Sequence, residues 1–329
     1  MNTLGILDYA AGFSMAFVFS WAMTGLMRRV AIGIGITDKP DGGRKIQKEP
    51  VPYLGGLGIM LSLASVLIFG IIATDVSKET LQDIAYLLFP AVIMGLVGLW
   101  DDIRNLSPHF RLMIQVLMGL TASLTITFGS TSGNATSYPS INLLLSIVWI
   151  VGITNAINFF DNMDGGAAVA AFMVSIGIAA YSILTKQPYI AGFAFLITGA
   201  LLGFFLWNRR PARIYMGDAG ALFLGMLLAT ITIRIDPNAE SKVVSLSVPI
   251  FFLALPILDT SVVVINRIRR GQSPLQGGKD HLSHRLALKG IRHRYILYIF
   301  AVISALFQIS LFASIYVSKT VEIILFSFN

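Results

Sequence analysis

The sequence predicts an all-α, polytopic integral membrane protein: one domain over residues 1–329, about ten transmembrane helices, both termini outside. Charged residues make up only 12% of the chain and hydrophobic ones 55%, and the mean hydropathy is +0.76. A soluble domain carries roughly 25% charged residues, so there is too little charge here to coat a water-facing surface. Disorder, a coiled coil and an ordinary soluble enzyme are excluded. The uncharged runs have membrane-spanning length, ~20 residues, and the bases between them are unevenly shared.

Residues 9–27 form the first run. No base precedes it, and Arg28 and Arg29 follow it. A secretory signal has the reverse order, so this is a retained span. Residues 53–74 and 84–100 are the second and third. No charge occurs over 112–160, too long for one span, and the polar stretch 129–142 divides it into a fourth and a fifth. Residues 165–185, 187–208, 219–233, 243–266 (interrupted by Asp259) and 295–318 complete the ten. No inverted repeat of the transporter type is visible.

With the termini outside, nineteen of the 24 bases fall in inner loops. Only Lys78, Lys186, Arg234, Lys242 and Lys319 fall outside. Bases gather on the cytoplasmic side of membrane proteins, which fixes the expected orientation. The net charge of +7 therefore reflects topology and anion handling, not nucleic acid. There are no cysteines, so disulfides, zinc thiolates and a Cys nucleophile are excluded.

The acids point to chemistry. Asp101 and Asp102 directly follow an apolar span. Adjacent carboxylates there need positive compensation. A hard divalent cation such as Mg2+ supplies it, although a water-facing helix end fits the dipeptide equally well. Asn155, Asn158, Asp161 and Asp164 recur every three residues and would line one face of a helix end. Their amides and carboxylates suit a nucleotide base, a metal or a phosphate shell. Asp218 lies between glycines where the eighth span begins, a position that also suits a helix cap. Asp259, eight residues before Arg267, lies roughly 12 Å deeper and fits either an ion-pair partner for an Arg or a catalytic group. The last inner loop combines Arg267, Arg270 and Arg285 with His281 and His284, donors suited to phosphate oxygens. Basic residues holding lipid headgroups would explain the arginines but not the histidines.

Clustered carboxylates, clustered bases and a site at the membrane surface together indicate phosphoryl-group transfer onto a lipid acceptor. Such chemistry relies on positioning and charge neutralisation. No Walker A or kinase Gly-rich loop is present.

Five segments in order carry a resemblance: DKPDGGRK with PVPYLGG, DDIRNLSP, NAINFFDNMDGG, IYMGDAGALFLG and DHLSHRL, spanning residues 38–285. The chain resembles the polyprenyl-phosphate N-acetylhexosamine-1-phosphate transferases, the MraY superfamily, in its WecA/TagO branch. The resemblance implies ten transmembrane helices with a cytoplasmic site, in the bacterial inner membrane. It implies Mg2+ (or Mn2+) and transfer of a sugar-1-phosphate from a UDP-sugar to undecaprenyl phosphate, with release of UMP. Downstream lie envelope polymers such as lipopolysaccharide or teichoic acid. Asp101 and Asp102 match the family's catalytic pair, and Asp218 its Mg2+-ligating Asp. Asn158, Asp161 and Asp164 match the nucleotide pocket, Lys48 falls near a nucleotide-binding lysine, and His281 and His284 match part of an H-x-H-H motif. Homodimers are common in the family.

Departures narrow the reading. Ser283 replaces one histidine, Gln47 stands where a His is common, and Asn162-Met163 stands where Gly-Leu is common. The DHLSHRL segment favours UDP-N-acetylglucosamine over the muramyl-pentapeptide donor of MraY-like enzymes. The nucleophilic lipid phosphate is largely dianionic, with a second pKa near ~6. Asp101 is therefore open to three roles: orientation, removal of a residual proton, or an acyl-phosphate. A transporter is the rival from another class. Transport sites lie near the midplane, where only Asp259 falls clearly.

Overall fold

The computed structural model describes residues 5–38, 50–74, 76–128, 136, 138–237, 242–273 and 278–327. Among these, nine helices are long and apolar enough to cross a membrane, and a bent pair has the length and composition of a tenth span when taken as one. They are α1 (Ile6–Ile34), α2 (Gly55–Ala73), α3 (Lys78–Arg104), α4 (Pro108–Phe128), α5 (Pro139–Phe160), α6 (Gly166–Leu184), α7 (Pro188–Asn208) and α8 (Gly217–Arg234). The bent pair is α9 (Lys242–Phe252) with α10 (Ala254–Arg269), followed by the short α11 (Leu282–Leu288) and the long α12 (His293–Ser327). The ten expected spans are thus present, mostly longer than their uncharged runs. Helix α3 carries Asp101 and Asp102 within its last turn instead of ending before them.

The ninth span departs from expectation in shape. It breaks between Phe252 and Ala254 with a bend of 76°. Pro256 explains the position: a proline ring clashes with the carbonyl four residues earlier, here that of Phe252. Pro256 is instead accommodated in the first turn of α10, where no intrahelical donor is needed. Pro249 removes a further N–H from α9.

Helix α8 is the hub. Most of its length is buried, with α3, α5 and α2 packed around it. Helix α1 packs on α7 and α2, and α6 on α7 and α12. The packing explains why α8 has hydrophobic residues on every face: it meets protein all round. Outer helices expose large side chains such as Phe69, Ile72 and Leu144, which suits hydrocarbon. Small hydroxyls join the helices. Ser62 Oγ donates to the Ala16 carbonyl at 3.0 Å, Ser20 Oγ to that of Ala200 at 2.6 Å, and Thr198 Oγ1 bonds Ser175 Oγ at 2.9 Å. Such bonds meet no competing water within a bilayer.

One end of the bundle is built differently. Strand β1 (Thr37–Asp38) pairs antiparallel with β2 (Val51–Pro52). The chain after β2 then runs against the entry to α8. Tyr215 N–H donates to the Pro52 carbonyl at 2.8 Å, Gly55 N–H to Tyr215 at 3.0 Å and Gly56 N–H to Met216 at 2.8 Å. Residues 50–54, with β2 among them, lead into α2. The bases Arg44, Lys45 and Lys48 lie outside the described residues.

Candidate active site

The ends of α3, α5 and α8 meet at that end of the bundle. Their meeting depends on Gly98, one turn before the acidic pair: a Cβ there would collide with the backbone of Asp218. Helices α3 and α8 therefore cross in near backbone contact, and Asp218 arrives beside Asp101 and Asp102. Gly217 takes φ +72°, which only glycine adopts cheaply. A side chain there would strike Asp102 Oδ2 and the Tyr53 carbonyl.

The two carboxylates of the pair do different things. Asp102 accepts from the backbone N–H of Asp218 at 2.9 Å and of Ala219 at 3.1 Å. It caps the N-terminus of α8, two orphan donors that the helix itself cannot satisfy. Asp101 is buried. It accepts from Leu106 N–H at 2.6 Å and from the Arg111 guanidinium. Arg111, from the first turn of α4, also reaches Asp218 Oδ2 at 3.0 Å. Asn158 Nδ2 donates to Asp218 Oδ1 at 2.7 Å.

Asp101, Asp102, Asn158 and Asp218 line a cleft of about 1260 Å³, together with Asp161 and Asp164. Asp161 follows the last residue of α5. Burial, then the charges of Asp218 and Asp164, push its carboxyl up to about 7. Burial is the larger cause, and the two like charges add to it. Asp164 Oδ2 accepts from Ala212 N–H at 3.2 Å. Buried Asn208 ties the same two loops together. It accepts from Gly165 N–H at 2.9 Å and donates to the Ile214 carbonyl at 2.9 Å. Tyr215 is in the wall, its hydroxyl pushed up to about 12 by burial and by Asp164.

The last loop forms the opposite wall through Lys279, Ser283 and His284. Burial, with His281 beside it, lowers the His284 pKa, so its ring is neutral near pH 7. Ser283 Oγ donates to Asn162 Oδ1: two of the departures noted in the sequence touch each other across the cleft.

Other residues singled out in the sequence lie elsewhere. Asn155 is absent from the cleft wall. It exchanges amide hydrogen bonds with Gln115 on α4, at 2.6 Å for Asn155 Nδ2 to Gln115 Oε1. A three-residue step falls about 60° short of a full turn, enough to turn Asn155 from the cleft toward α4. Asp259 does not have Arg267 as its described partner: it bonds His281 and Leu282. Arg267 is buried and grips Asp280 with Nε at 2.9 Å and Nη2 at 2.6 Å, which holds the Asp280 carboxyl below its usual range. Arg285 Nε donates to the Asp280 carbonyl at 2.8 Å. Arg267 and exposed Arg270 line a separate cavity of about 310 Å³. Neither they, nor Arg285, nor the buried His281 expected to be catalytic lines the main cleft; the His281 ring is turned to Asp259 instead.

Arg111 and Asn208 were missed by sequence reasoning. Arg111 was counted only as an inner-loop base. Its place ten residues after Asp101, on the next helix, was a usable signal. Nothing in the sequence marked Asn208 beyond its position at the end of a span.

Comparison with known proteins decides the family. The profile described as "Glycosyl transferase family 4" matches residues 84–236, which include the acidic pair, the Asn/Asp ladder and Asp218. The chain is 31% identical over 314 residues to a protein of Bacillus subtilis named "Probable undecaprenyl-phosphate N-acetylglucosaminyl 1-phosphate transferase", covering 92% of this chain and 84% of the relative. The chain belongs to the polyprenyl-phosphate N-acetylhexosamine-1-phosphate transferase family. It is 30% identical over 310 residues to the "Decaprenyl-phosphate N-acetylglucosaminephosphotransferase" of Mycolicibacterium smegmatis, covering 85% of this chain and 75% of that one. A Streptococcus pneumoniae "Phospho-N-acetylmuramoyl-pentapeptide-transferase" is 32% identical over 203 residues, but covers only 57% of this chain. Within the MraY superfamily this transferase stands with the WecA/TagO branch.

Proposed function

We propose that this transferase moves N-acetylglucosamine-1-phosphate from UDP-N-acetylglucosamine to undecaprenyl phosphate and releases UMP. It would act at the cytoplasmic face of the bacterial inner membrane, as a first membrane step of envelope polysaccharide synthesis. The observation that carries this reading is that Asp101, Asp102, Asp161 and Asp218 line one cleft at one end of an apolar bundle, with Arg111 bridging Asp101 and Asp218. A polar donor and a lipid-borne acceptor can both reach such a place.

The donor set fits Mg2+. Among the described residues no three acids stand as a ready ligand cluster. Mg2+ nonetheless needs only one or two carboxylates, since it keeps several waters. Asp218 and Asp161 offer hard oxygens in the wall of one cleft, and a cation between them would offset their like charges. When bound there, the ion would neutralise the donor's diphosphate oxygens. Asn158 would hold Asp218 in place, and Asp164 and Tyr215 would border the nucleoside.

In the reaction a lipid-phosphate oxygen attacks the β-phosphorus of the donor. The bond from that phosphorus to the bridging oxygen breaks, UMP leaves with the bond's electrons, and the lipid gains a diphosphate-linked sugar. The attacking phosphate is already largely dianionic above its second pKa of ~6. Asp101 and Asp102 are each committed to two hydrogen bonds, which supports an orienting role over an acyl-phosphate. Lys279 and His284 would face the charge that develops on the phosphates.

The test is UMP release by purified protein with undecaprenyl phosphate and Mg2+, supplied in parallel with UDP-N-acetylglucosamine and the muramyl-pentapeptide donor. UMP from the first donor and not the second is expected. UMP from the second alone would overturn the donor assignment.

A further inference from the structure

A buried carboxylate inside an apolar span needs partners, since burial without them costs several kcal/mol. Asp259 is such a group. It stands on α10, past the 76° bend, and is buried. Both of its oxygens are engaged, and both bonds go to the last loop. Oδ2 lies 2.7 Å from His281 Nδ1. Oδ1 accepts the backbone N–H of Leu282 at 2.6 Å. Leu282 opens α11 with His281 as its N-cap, and His281 makes no capping bond of its own. One carboxylate thus holds both the ring of His281 and the first turn of the helix that carries Ser283 and His284 into the cleft wall.

Arg267, two turns farther along α10, fixes the neighbouring Asp280. Residues 280–282 are therefore pinned to α10 by an acid and a base at once. The His281 ring is also bounded by Phe159, edge-on at 6.4 Å, and by His284 at 6.3 Å. A carboxylate ion only accepts hydrogen bonds, so a His281 ring bonded to Asp259 in that form carries its hydrogen on Nδ1. Nε2 is then the only ring nitrogen left for another partner. Fixing a tautomer through one nitrogen sets what the other can do.

We propose that Asp259 is a positioning residue for the transferase reaction. It sets the tautomer and orientation of His281 and anchors the start of α11, so that the last loop presents its donors to the phosphates in one arrangement. This rests on the reading of that loop as the phosphate-handling wall of the site.

Two readouts test it. The first is the ¹⁵N spectrum of histidine-labelled protein at pH 8, with the His281 signal assigned by its loss in His281→Gln. Nδ1 is expected to carry a proton in the wild type and to lose it in Asp259→Asn. An unprotonated Nδ1 in the wild type would overturn the proposal. The second is UMP release from UDP-N-acetylglucosamine. Replacing the carboxylate that orients a reacting histidine has cost up to about 10⁴-fold in kcat elsewhere. Here a loss of about 10²-fold or more in kcat is expected for Asp259→Asn, with KM within about threefold and partial recovery in Asp259→Glu. In the double variant with His281→Gln, Asp259→Asn should cost little further, because coupled groups are non-additive. Full additivity, or unchanged kcat in Asp259→Asn, would overturn the proposal. If Asp259→Asn fails to fold, the wild-type spectrum still decides the tautomer and His281→Gln carries the kinetic readout: a loss of about 10²-fold or more in kcat is expected, and an unchanged kcat would overturn the proposal. If the wild type releases no UMP from any donor, the proposed function fails, while the assignment of the His281 tautomer is still decided by the spectrum.

Discussion

Asp161 shows at single-residue scale how a functional group opposes stability. Its carboxyl is pushed up to about 7, against about 3.9 in an unfolded chain. The folded protein therefore holds this proton more tightly than the unfolded chain does. The stability this gives is complete below pH about 4 and is lost as pH rises toward 7. Asp161→Asn removes that dependence. Thermal melts should show the variant and the wild type alike at pH 4, with the variant the more stable at pH 8. Its UMP release should fall about 10-fold or more, because a neutral amide no longer attracts a cation. Equal melting at pH 8 would remove the case for an uncompensated charge. The acids of the cleft were legible in the sequence because several carboxylates at the ends of different apolar spans fell on one side, although each alone also fitted a helix end or a cap. Asn155 shows the limit of that reasoning: residue type and spacing matched the ladder, but its rotation about the helix gave it to Gln115. Arg111 shows the converse, since what a base pairs with across a helix junction is not written in its neighbours.

At the scale of elements, the site depends on how closely α3 and α8 cross. Gly98→Ala puts a Cβ against the backbone of Asp218, and backbone cannot move aside as a side chain can. Overpacking of this kind costs about 1–3 kcal/mol. A lowered melting temperature together with loss of UMP release is expected, because Asp102 can no longer cap α8 and Asp218 leaves Arg111. An unperturbed melt would mean that the crossing is looser than described. Most spans were legible as separate uncharged runs, because a bilayer allows few other readings of such runs; the fourth and fifth shared one run, and Asp259 interrupted the ninth. The 76° break was not, although Pro249 and Pro256 stood in the sequence. Their spacing marks where a helix fails, but not the angle at which it resumes. That angle matters here, since it is α10 that carries Asp259 and Arg267 to the last loop.

For the whole molecule, the proposal that the acidic cleft faces the cytoplasm rests on the uneven sharing of the bases. The absence of cysteine makes this easy to check. Lys186→Cys should react with a membrane-impermeant maleimide in intact cells, and Arg209→Cys only after permeabilisation; the opposite pattern would invert the orientation. Donor choice was readable only through family motifs, because a cleft of this size and polarity suits any UDP-N-acetylhexosamine. The central claim is phosphosugar transfer at the Asp218 junction. It is tested most directly by counting products: UMP and the lipid diphosphate sugar formed by purified protein from UDP-N-acetylglucosamine and undecaprenyl phosphate with Mg2+. One-for-one formation is expected in the wild type, and a loss of about 10²-fold or more in Asp218→Asn. No product from any UDP-N-acetylhexosamine, or full activity in Asp218→Asn, would contradict the account.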